Sequence, residues 1–222
     1  MDTETWTNVD AWFAERLRPR DEGLADAVVA GAALPQIQVS DLQGGFLALL
    51  ARAIGARRIL EIGTLFGFST IMLGRALPED GRLITLEASA DHARIARANL
   101  ENAGLADRVE VRLGPALDTL DRLAEANVEP FDLVFIDADK RHNPQYWAWA
   151  LRFTRPRGVV IVDNVVRDGR VLDEASTDPD IVGTRELVDA AGRAVADGTV
   201  DVTALQTVGS KGWDGFLVAT LT

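Results

Sequence analysis

Short apolar runs alternate with amphipathic stretches along most of the chain. The runs that predict strands span residues 57–63, 82–87, 108–113, 131–136 and 158–163. The stretches between and after them have the periodicity of helices and span residues 67–77, 90–103, 116–126, 144–153 and about 180–196. Strands that alternate with helices in this way indicate an α/β fold with a parallel, doubly wound sheet.

Two β runs at the C-terminal end break this alternation. Residues 201–208 and 215–221 are joined only by the link GSKGWD. Such a short connection favours an antiparallel pair, because a parallel crossover needs about a dozen residues or more. We therefore expect a mostly parallel sheet that ends in an antiparallel strand.

The N-terminal part of the chain predicts helices rather than strands. Residues 1–36 favour two interrupted helices, and Ser40 begins a third helix that runs to Gly55. A chain of 222 residues is long enough to bury a sizeable core in one domain. We expect a single domain, with accessory helices over residues 1–55 and an α/β core over residues 56–222.

A strand, a glycine turn and a helix follow one another in residues 58–70, which read RILEIGTLFGFST. Glu61 places a charge inside the apolar run, and Gly63 and Gly67 open the turn. In an open α/β sheet such a turn lies at the carboxyl end of a central strand, where ligands bind, and glycine lets a ligand approach the backbone closely. We interpret this turn as the cradle of a cofactor.

An acidic residue, Glu87, ends the second predicted strand, LITLE, 24 positions after Gly63. In dinucleotide-binding folds an acid at this place accepts hydrogen bonds from the hydroxyl groups of a ribose. The turn and the acid together suggest a cofactor that contains adenosine. A nicotinamide cofactor with dehydrogenase activity is an alternative, although Gly63 and Gly67 do not have the GxGxxG spacing.

Hard oxygen ligands follow the fourth and fifth predicted strands. FDLVFIDADK places Asp137 directly after one strand and Lys140 three residues later, and GVVIVDNVV places Asp163 and Asn164 at the end of the next. Neighbouring strands lie about 4.8 Å apart and end at the same edge, so these side chains should converge. Two carboxylates and an amide, with no sulfur, suit Mg²⁺, Mn²⁺ or Ca²⁺.

The composition narrows the chemistry further. The chain carries 23 Lys and Arg against 34 Asp and Glu, a net charge of −11, which disfavours nucleic acid and anionic membranes as partners. It has no cysteine, which excludes a thiolate nucleophile, a disulfide and a cysteine zinc site. No apolar stretch approaches the roughly 20 residues of a membrane helix, and the N-terminus lacks the features of a signal peptide, so we expect a cytoplasmic protein.

Several motifs occur together in the order and spacing of a known family: EIGTLFGFST, LITLE, VFIDADK, VIVDNVVRDG and QTVGSKGWDGF. Over residues 36–222 the sequence resembles the cation-dependent class I S-adenosylmethionine O-methyltransferases, a group that includes catechol and caffeoyl-CoA O-methyltransferases. The resemblance implies a Rossmann-like sheet of seven strands with a reversed last strand, and a homodimer. It also implies methyl transfer from S-adenosyl-L-methionine to a hydroxyl of a catechol-like small molecule, an aromatic diol.

The resemblance assigns roles to individual residues. The positions that match the S-adenosylmethionine ligands of the family are Glu61, Gly63, Ser69, Glu87, Ala116 and Asp137. Asp137 also matches a metal ligand, together with Asp163 and Asn164, and the expected ion is Mg²⁺.

On the same grounds Lys140 matches the general base of the catechol enzymes; the alternative is a solvated lysine that pairs with Asp139. On the acceptor side we single out Val39 and Trp213, and we expect Trp213 in the loop between the last two strands, where an indole can stack on an aromatic ring. We interpret His142 as a solvated loop residue. The sequence leaves open the natural acceptor, the methylated position and whether the N-terminal helices contact a partner subunit or the acceptor.

Two further alternatives concern the site as a whole. A non-catalytic S-adenosylmethionine-binding or scaffolding protein can use the same fold. Asp137, Asp163 and Asn164 can also simply cap the helix or turn that follows their strands, which is the commoner role of a single such residue. The presence of Lys140 together with all three oxygen ligands favours the enzyme.

Overall fold

Seven strands form one sheet in the computed structural model, which describes residues 3–222. In chain order they are β1 (Arg58–Ile62), β2 (Arg82–Glu87), β3 (Val109–Leu113), β4 (Phe131–Ile136), β5 (Thr154–Asp163), β6 (Val200–Gly209) and β7 (Gly212–Leu221). Their order across the sheet is β3-β2-β1-β4-β5-β7-β6. Strands β1 to β5 pair in parallel, and β7 runs antiparallel to both β5 and β6. The predicted Rossmann-like, doubly wound sheet with a reversed last strand is confirmed.

Helices cover both faces of this sheet. Within the described residues the α-helices are α1 (Thr3–Leu17), α2 (Glu22–Ala30), α3 (Asp41–Ala53), α4 (Phe68–Ala76), α5 (Ala90–Asn102), α6 (Ala116–Glu125), α7 (Asn143–Phe153) and α8 (Pro179–Ala196), and short 3₁₀ turns span Lys140–His142 and Arg170–Leu172. Three helices precede β1, as the sequence predicts. No helix in residues 3–222 has the length and apolar character needed to cross a membrane.

The central strands bury both of their faces. In β1, Ile59 packs into the core formed with α3 and α4, whereas Leu60 packs into the core formed with α7 and α8. A strand that is covered on both sides has a continuous apolar sequence, which explains why these strands are recognisable from the pattern alone. Within the buried part of β1, residues 59–62, Glu61 is the one charged residue.

One carboxylate aligns the amino ends of three strands. Asp132 Oδ2 accepts hydrogen bonds from the backbone N–H groups of Arg57 (2.7 Å) and Arg58 (2.8 Å), and Oδ1 accepts one from the guanidinium of Arg155. Burial raises the pKa of Asp132, but Arg155 and the two backbone donors more than offset this and hold it below its ordinary value of 3.8. These bonds fix the positions of β1, β4 and β5 relative to one another. They therefore also fix the relative positions of the carboxyl ends of these strands.

The later strands are longer than predicted. Strand β5 begins at Thr154 rather than at residue 158, and only Ser210 and Lys211 separate β6 from β7. Trp213 therefore lies in β7, not in a loop, which corrects the prediction. The reason is a tight turn. Gly212 has φ +89°, which lets the chain reverse within two residues, so the pairing of β6 with β7 extends into the segment GSKGWD that was predicted as their connection.

Candidate active site

The candidate site lies at the carboxyl edge of the sheet, where β1, β4 and β5 end side by side. The backbone N–H of Asp137 donates to the carbonyl oxygen of Ile62 (2.8 Å), which joins the first residue after β4 to the end of β1. Asp163 is the last residue of β5. The structure thus brings Gly63, Asp137 and Asp163 to one edge, the usual place for a ligand in an open α/β sheet.

Gly63 occupies a position that no larger residue fits. Its φ of +105° lies in the region that favours glycine, and a Cβ built on it would lie 2.1 Å from the carbonyl oxygen of Asp137. Gly67, with φ +92°, caps the start of α4. The glycine turn is therefore held directly against the segment that carries Asp137 and Lys140.

Glu61 lies fully buried beneath this turn. Its carboxylate accepts hydrogen bonds from Ser69 Oγ (2.6 Å), Thr85 Oγ1 (2.7 Å) and the hydroxyl of Thr70. Burial raises the pKa of Glu61 from 4.5 to about 7, against the opposing effect of the three hydroxyl groups. The two predicted cofactor residues Glu61 and Ser69 thus contact each other, and one carboxylate ties β1, β2 and α4 together.

Glu87 braces the same turn from the end of β2. Its Oε2 accepts hydrogen bonds from the backbone N–H groups of Thr64 (3.3 Å) and Leu65 (2.8 Å). Its Oε1 accepts the backbone N–H of Ser89 (2.9 Å). A carboxylate has about four acceptor positions, so Glu87 keeps about one position for a ligand hydroxyl. Ala116, the first residue of α6, follows the loop that is tied to Glu87, since the N–H of Gly114 donates to the Glu87 carbonyl oxygen (2.9 Å).

Lys140 is buried and pairs with Asp137, not with Asp139. Lys140 Nζ donates to Asp137 Oδ1 at 2.7 Å, and only 6% of the residue is exposed. Asp139 is held instead by Tyr146 Oη (2.6 Å) and Arg141 Nε (3.0 Å). The interpretation of Lys140 as a solvated partner of Asp139 is therefore wrong.

Asp163 lies close to this pair, buried at the end of β5. Burial and then the charge of Asp137 raise the pKa of Asp163 to about 8, and Lys140 opposes the shift. Asn164 has φ +60° and donates its backbone N–H to Asp163 Oδ1 (2.8 Å). The edge thus holds two carboxylates that lie in each other's electric field, with one ammonium nearby.

The chemistry of this donor set fits a hard divalent cation. Carboxylate and amide oxygens are the ligands of Mg²⁺ and Ca²⁺, and a buried acid beside a second acid is stabilised by a cation. Across residues 3–222 no group of three or more His, Asp or Glu side chains is placed to hold a metal. A cation site formed by Asp137, Asp163 and the amide of Asn164 therefore stays a prediction.

The two residues predicted on the acceptor side have different surroundings. Val39 is buried in the core, in the segment before α3. Trp213 is 37% exposed, and its Nε1–H donates to Gln206 Oε1 (3.0 Å). A Cβ on Gly169, in the loop after β5, would lie 2.9 Å from the indole ring, so the ring covers this loop. Contact of either residue with an acceptor stays a prediction.

Two polar residues of this edge are missing from the sequence-based prediction. Thr85 binds Glu61, and Asp214 Oδ1 accepts the backbone N–H groups of Val166 (3.0 Å) and Arg167 (3.1 Å), which fixes the loop after β5. The threonine in the otherwise apolar run LITL is a signal for a buried polar contact. Asp214 has no local signal, because its partners lie 48 and 47 positions away in the chain.

The comparisons with known proteins agree with this geometry. Residues 22–211 match the model of an O-methyltransferase family. The chain is 53% identical over 214 residues to a catechol O-methyltransferase of Mycobacterium tuberculosis, covering 96% of this chain and 94% of the relative. It is 46% identical over 221 residues to the catechol O-methyltransferase of Niastella koreensis, covering 99% of each. The solved structure of the O-methyltransferase from Bacillus cereus in complex with SAH has a TM-score of 0.96 and 52% identity, and covers 100% of both chains.

The fold, the glycine turn and the matched segment together define a methyltransferase of the Rossmann-like class. The chain belongs to the O-methyltransferase family. This assignment replaces the dehydrogenase alternative.

Alanine at Gly63 should destabilise the protein more than alanine at a matched glycine. The Gly63→Ala change adds a strained φ, which costs about 1–2 kcal/mol, and also the 2.1 Å contact with the Asp137 carbonyl. Gly104→Ala is the control, because its φ is +70° and nothing lies within 4 Å of the added Cβ. We expect the loss of unfolding free energy in urea to be about twofold larger for Gly63→Ala or more. Equal losses in the two variants contradict the close approach.

Replacing Glu61 with glutamine should remove a pH-dependent loss of stability. The carboxyl pKa is 4.5 in its ordinary surroundings and about 7 in the fold, so between these values the folded protein keeps a proton that the unfolded chain has lost. The retained proton stabilises the fold. This stabilisation, roughly 3 kcal/mol, is complete below pH 4.5 and is lost as the pH rises through 7. Urea unfolding at about pH 5 and about pH 8 should show that extra loss in the wild type and not in Glu61→Gln. The same pH dependence in both proteins rules out the raised pKa.

Proposed function

We propose that this protein is a divalent-cation-dependent O-methyltransferase that transfers the methyl group of S-adenosylmethionine to a hydroxyl of a catechol-like small molecule. The observation that carries the proposal is the meeting of Asp163, Asp137 and Lys140 at the carboxyl edge, against the glycine turn after β1. The relatives named catechol O-methyltransferase, at 53% and 46% identity, support the acceptor class.

The cofactor is assigned to the glycine turn and to the acids that brace it. The Bacillus cereus relative is complexed with SAH, which is the form that S-adenosylmethionine takes once its methyl group has been transferred. Glu87 keeps about one acceptor position beside its three backbone donors, and we assign that position to a ribose hydroxyl. The residues proposed to form the cofactor site are Glu61, Gly63, Ser69, Glu87, Ala116 and Asp137. Because Glu61 is fully buried, its proposed part is to hold Ser69 from beneath the turn.

The cation is assigned to Asp137, Asp163 and Asn164, with Mg²⁺ as the first choice and Mn²⁺ or Ca²⁺ as alternatives. Such an ion lowers the pKa of a coordinated hydroxyl and stabilises its oxyanion. The burial of Asp163 beside a second acid supports the assignment: both effects raise the pKa of Asp163, and a bound cation would offset them by favouring its ionised form.

Lys140 is the proposed general base. In the structure Nζ donates to Asp137, 2.7 Å away, so Lys140 must first release a proton to solvent before it can act as a base. The amine then takes the proton of the acceptor hydroxyl, and the ammonium forms again beside Asp137. The oxygen attacks the methyl carbon, a C–O bond forms while the S–CH₃ bond breaks, and the electron pair of that bond returns to sulfur. Because Lys140 is buried and bonded to Asp137, its amine is held in place at the carboxyl edge of the sheet.

The remaining proposals concern the acceptor side and the assembly. Trp213 is accessible for stacking on an aromatic ring, and Val39 belongs to the segment that leads into α3. We propose one methyltransferase domain over the whole chain, of which residues 1 and 2 lie outside the described part. We also propose a homodimer, supported by exposed apolar side chains of α1 such as Trp12 and Leu17.

Asp163→Ala should abolish the turnover that depends on a divalent cation. In the wild type we expect methyl transfer to catechols to require Mg²⁺ or Mn²⁺ and to stop with a chelator. Loss of a residue that only supports a metal ligand lowers activity by up to roughly 100-fold. Because Asp163 is proposed as a ligand itself, the activity of the variant should fall by more than this. Calorimetry with SAH should show an affinity close to that of the wild type, because Asp163 is not among the proposed cofactor residues.

The matched control for this variant is Asp201→Ala, which removes an exposed acid from β6 and should retain activity. Wild-type turnover that continues unchanged in the presence of chelator contradicts the proposed metal requirement.

Lys140→Ala should lower kcat while leaving the affinity for SAH near its wild-type value. Loss of a positioned general base costs about 10²- to 10⁴-fold in rate. Arg141→Ala is the neighbouring control, since its guanidinium is bound to Asp139 and should not affect kcat. If Lys140→Ala turns over as fast as the wild type, another group removes the proton.

A further inference from the structure

The chain contains 21 arginines but only two lysines, Lys140 and Lys211. The two residue types are not interchangeable, since guanidinium is a rigid planar fork and ammonium a compact charge on a flexible stem. Lys140 pairs with Asp137. Burial lowers the pKa of Lys211 below its ordinary value and Asp137 opposes this shift, so the second lysine also lies in the electric field of the candidate site.

Lys211 lies beyond the carboxyl edge of the sheet. Strand β7 is antiparallel to β5 and places Phe216 opposite Asp163, so the turn before β7 projects past the end of β5. From this turn Lys211 Nζ reaches the carbonyl oxygen of Gln36 (3.0 Å), three positions before Val39. The ammonium therefore bridges the segment before α3 and the β6–β7 turn, on the side of the site assigned to the acceptor.

The turn that carries Lys211 is anchored from two directions. The backbone N–H of Ser210 donates to Asp10 Oδ2 in α1 (2.8 Å). Asp214, in β7, accepts two backbone N–H groups of the loop after β5, at 3.0 and 3.1 Å. The lysine stem is flexible, but its Cα is held, so the ammonium has a limited reach over the site.

The ammonium of Lys211 has no carboxylate partner in the described part of the chain. Its hydrogen bond goes to the neutral carbonyl of Gln36, and the nearby carboxylate of Asp137 is already paired with Lys140 at 2.7 Å. Lys211 is an exposed residue, so its ammonium is accessible to a ligand. A cation that lacks a counter-charge attracts an anionic group, and a charge-assisted hydrogen bond is about twice as strong as a neutral one.

We propose that Lys211 binds a carboxylate of the acceptor, so that the substrates of this enzyme are catechols with an acidic substituent. This inference rests on the proposed function and names its substrate class. An ammonium has three donors, so Lys211 can bind the carboxylate and keep its bond to Gln36. The acidic substituent then lies toward the β6–β7 turn and the diol toward Lys140.

Two matched acceptors test this proposal: 3,4-dihydroxybenzoate and its methyl ester, which keeps the ring and the diol but removes the charge. The wild type should prefer the acid. Lys211→Met keeps an unbranched stem without the charge, and it should raise KM for the acid about tenfold with kcat within about twofold. The ratio of kcat/KM for acid over ester should fall by about the same factor.

Two further variants separate charge from shape. Lys211→Arg retains the positive charge and should keep most of the preference for the acid. Arg193→Met removes an exposed cation from the last turn of α8 and should leave the acid-to-ester ratio unchanged.

Three outcomes overturn the role of Lys211. Losses of the same factor for acid and ester in Lys211→Met would mean that the residue only shapes the site through Gln36. An unchanged preference in this variant, or no preference in an active wild type, removes the carboxylate contact and leaves the proposed function standing. If the wild type methylates neither acceptor although calorimetry shows SAH binding, the proposed function itself fails, and the proposal for Lys211 fails with it.

Discussion

The carboxylate of Glu61 has no exposed surface, and the glycine turn depends on it. A buried charge destabilises a protein unless hydrogen bonds compensate it, and here hydroxyl groups of α4 and β2 supply these bonds. Because they come from different elements, the same bonds fix the start of α4 relative to β1 and β2. The turn between β1 and α4 therefore has a defined position before any ligand arrives.

Asp137 connects this turn to the acidic edge through two different groups. Its backbone carbonyl lies so close to Gly63 that a Cβ is excluded, and its side chain binds the ammonium of Lys140. A shift of the glycine turn is thus passed to the lysine through a single residue. In an enzyme that must align a methyl donor with a deprotonated hydroxyl, such a shared reference point reduces the relative motion of the two reactants.

Most of the fold and part of the candidate site were predictable from the sequence for identifiable physical reasons. Strands buried on both faces have continuous apolar runs, and a polar residue directly after such a strand, as with Asp137 and Asp163, must lie at the edge where ligands bind. The sequence did not indicate whether Lys140 pairs with Asp137 or with Asp139, because both aspartates lie within three positions of the lysine. Lys211 has no local signal either, since Gln36 lies 175 positions away.

The two sides of the candidate site come from different parts of the chain. The proposed cofactor residues lie in the continuous middle, from β1 to the end of β4, whereas the proposed acceptor side joins the N-terminal segment to the β6–β7 hairpin. There Asp10 and Ser210 meet across 200 positions of sequence. Changes at either end alter the acceptor side without touching Glu61, Gly63 or Glu87. During evolution such a protein can acquire a new acceptor while it inherits its methyl-donor site unchanged.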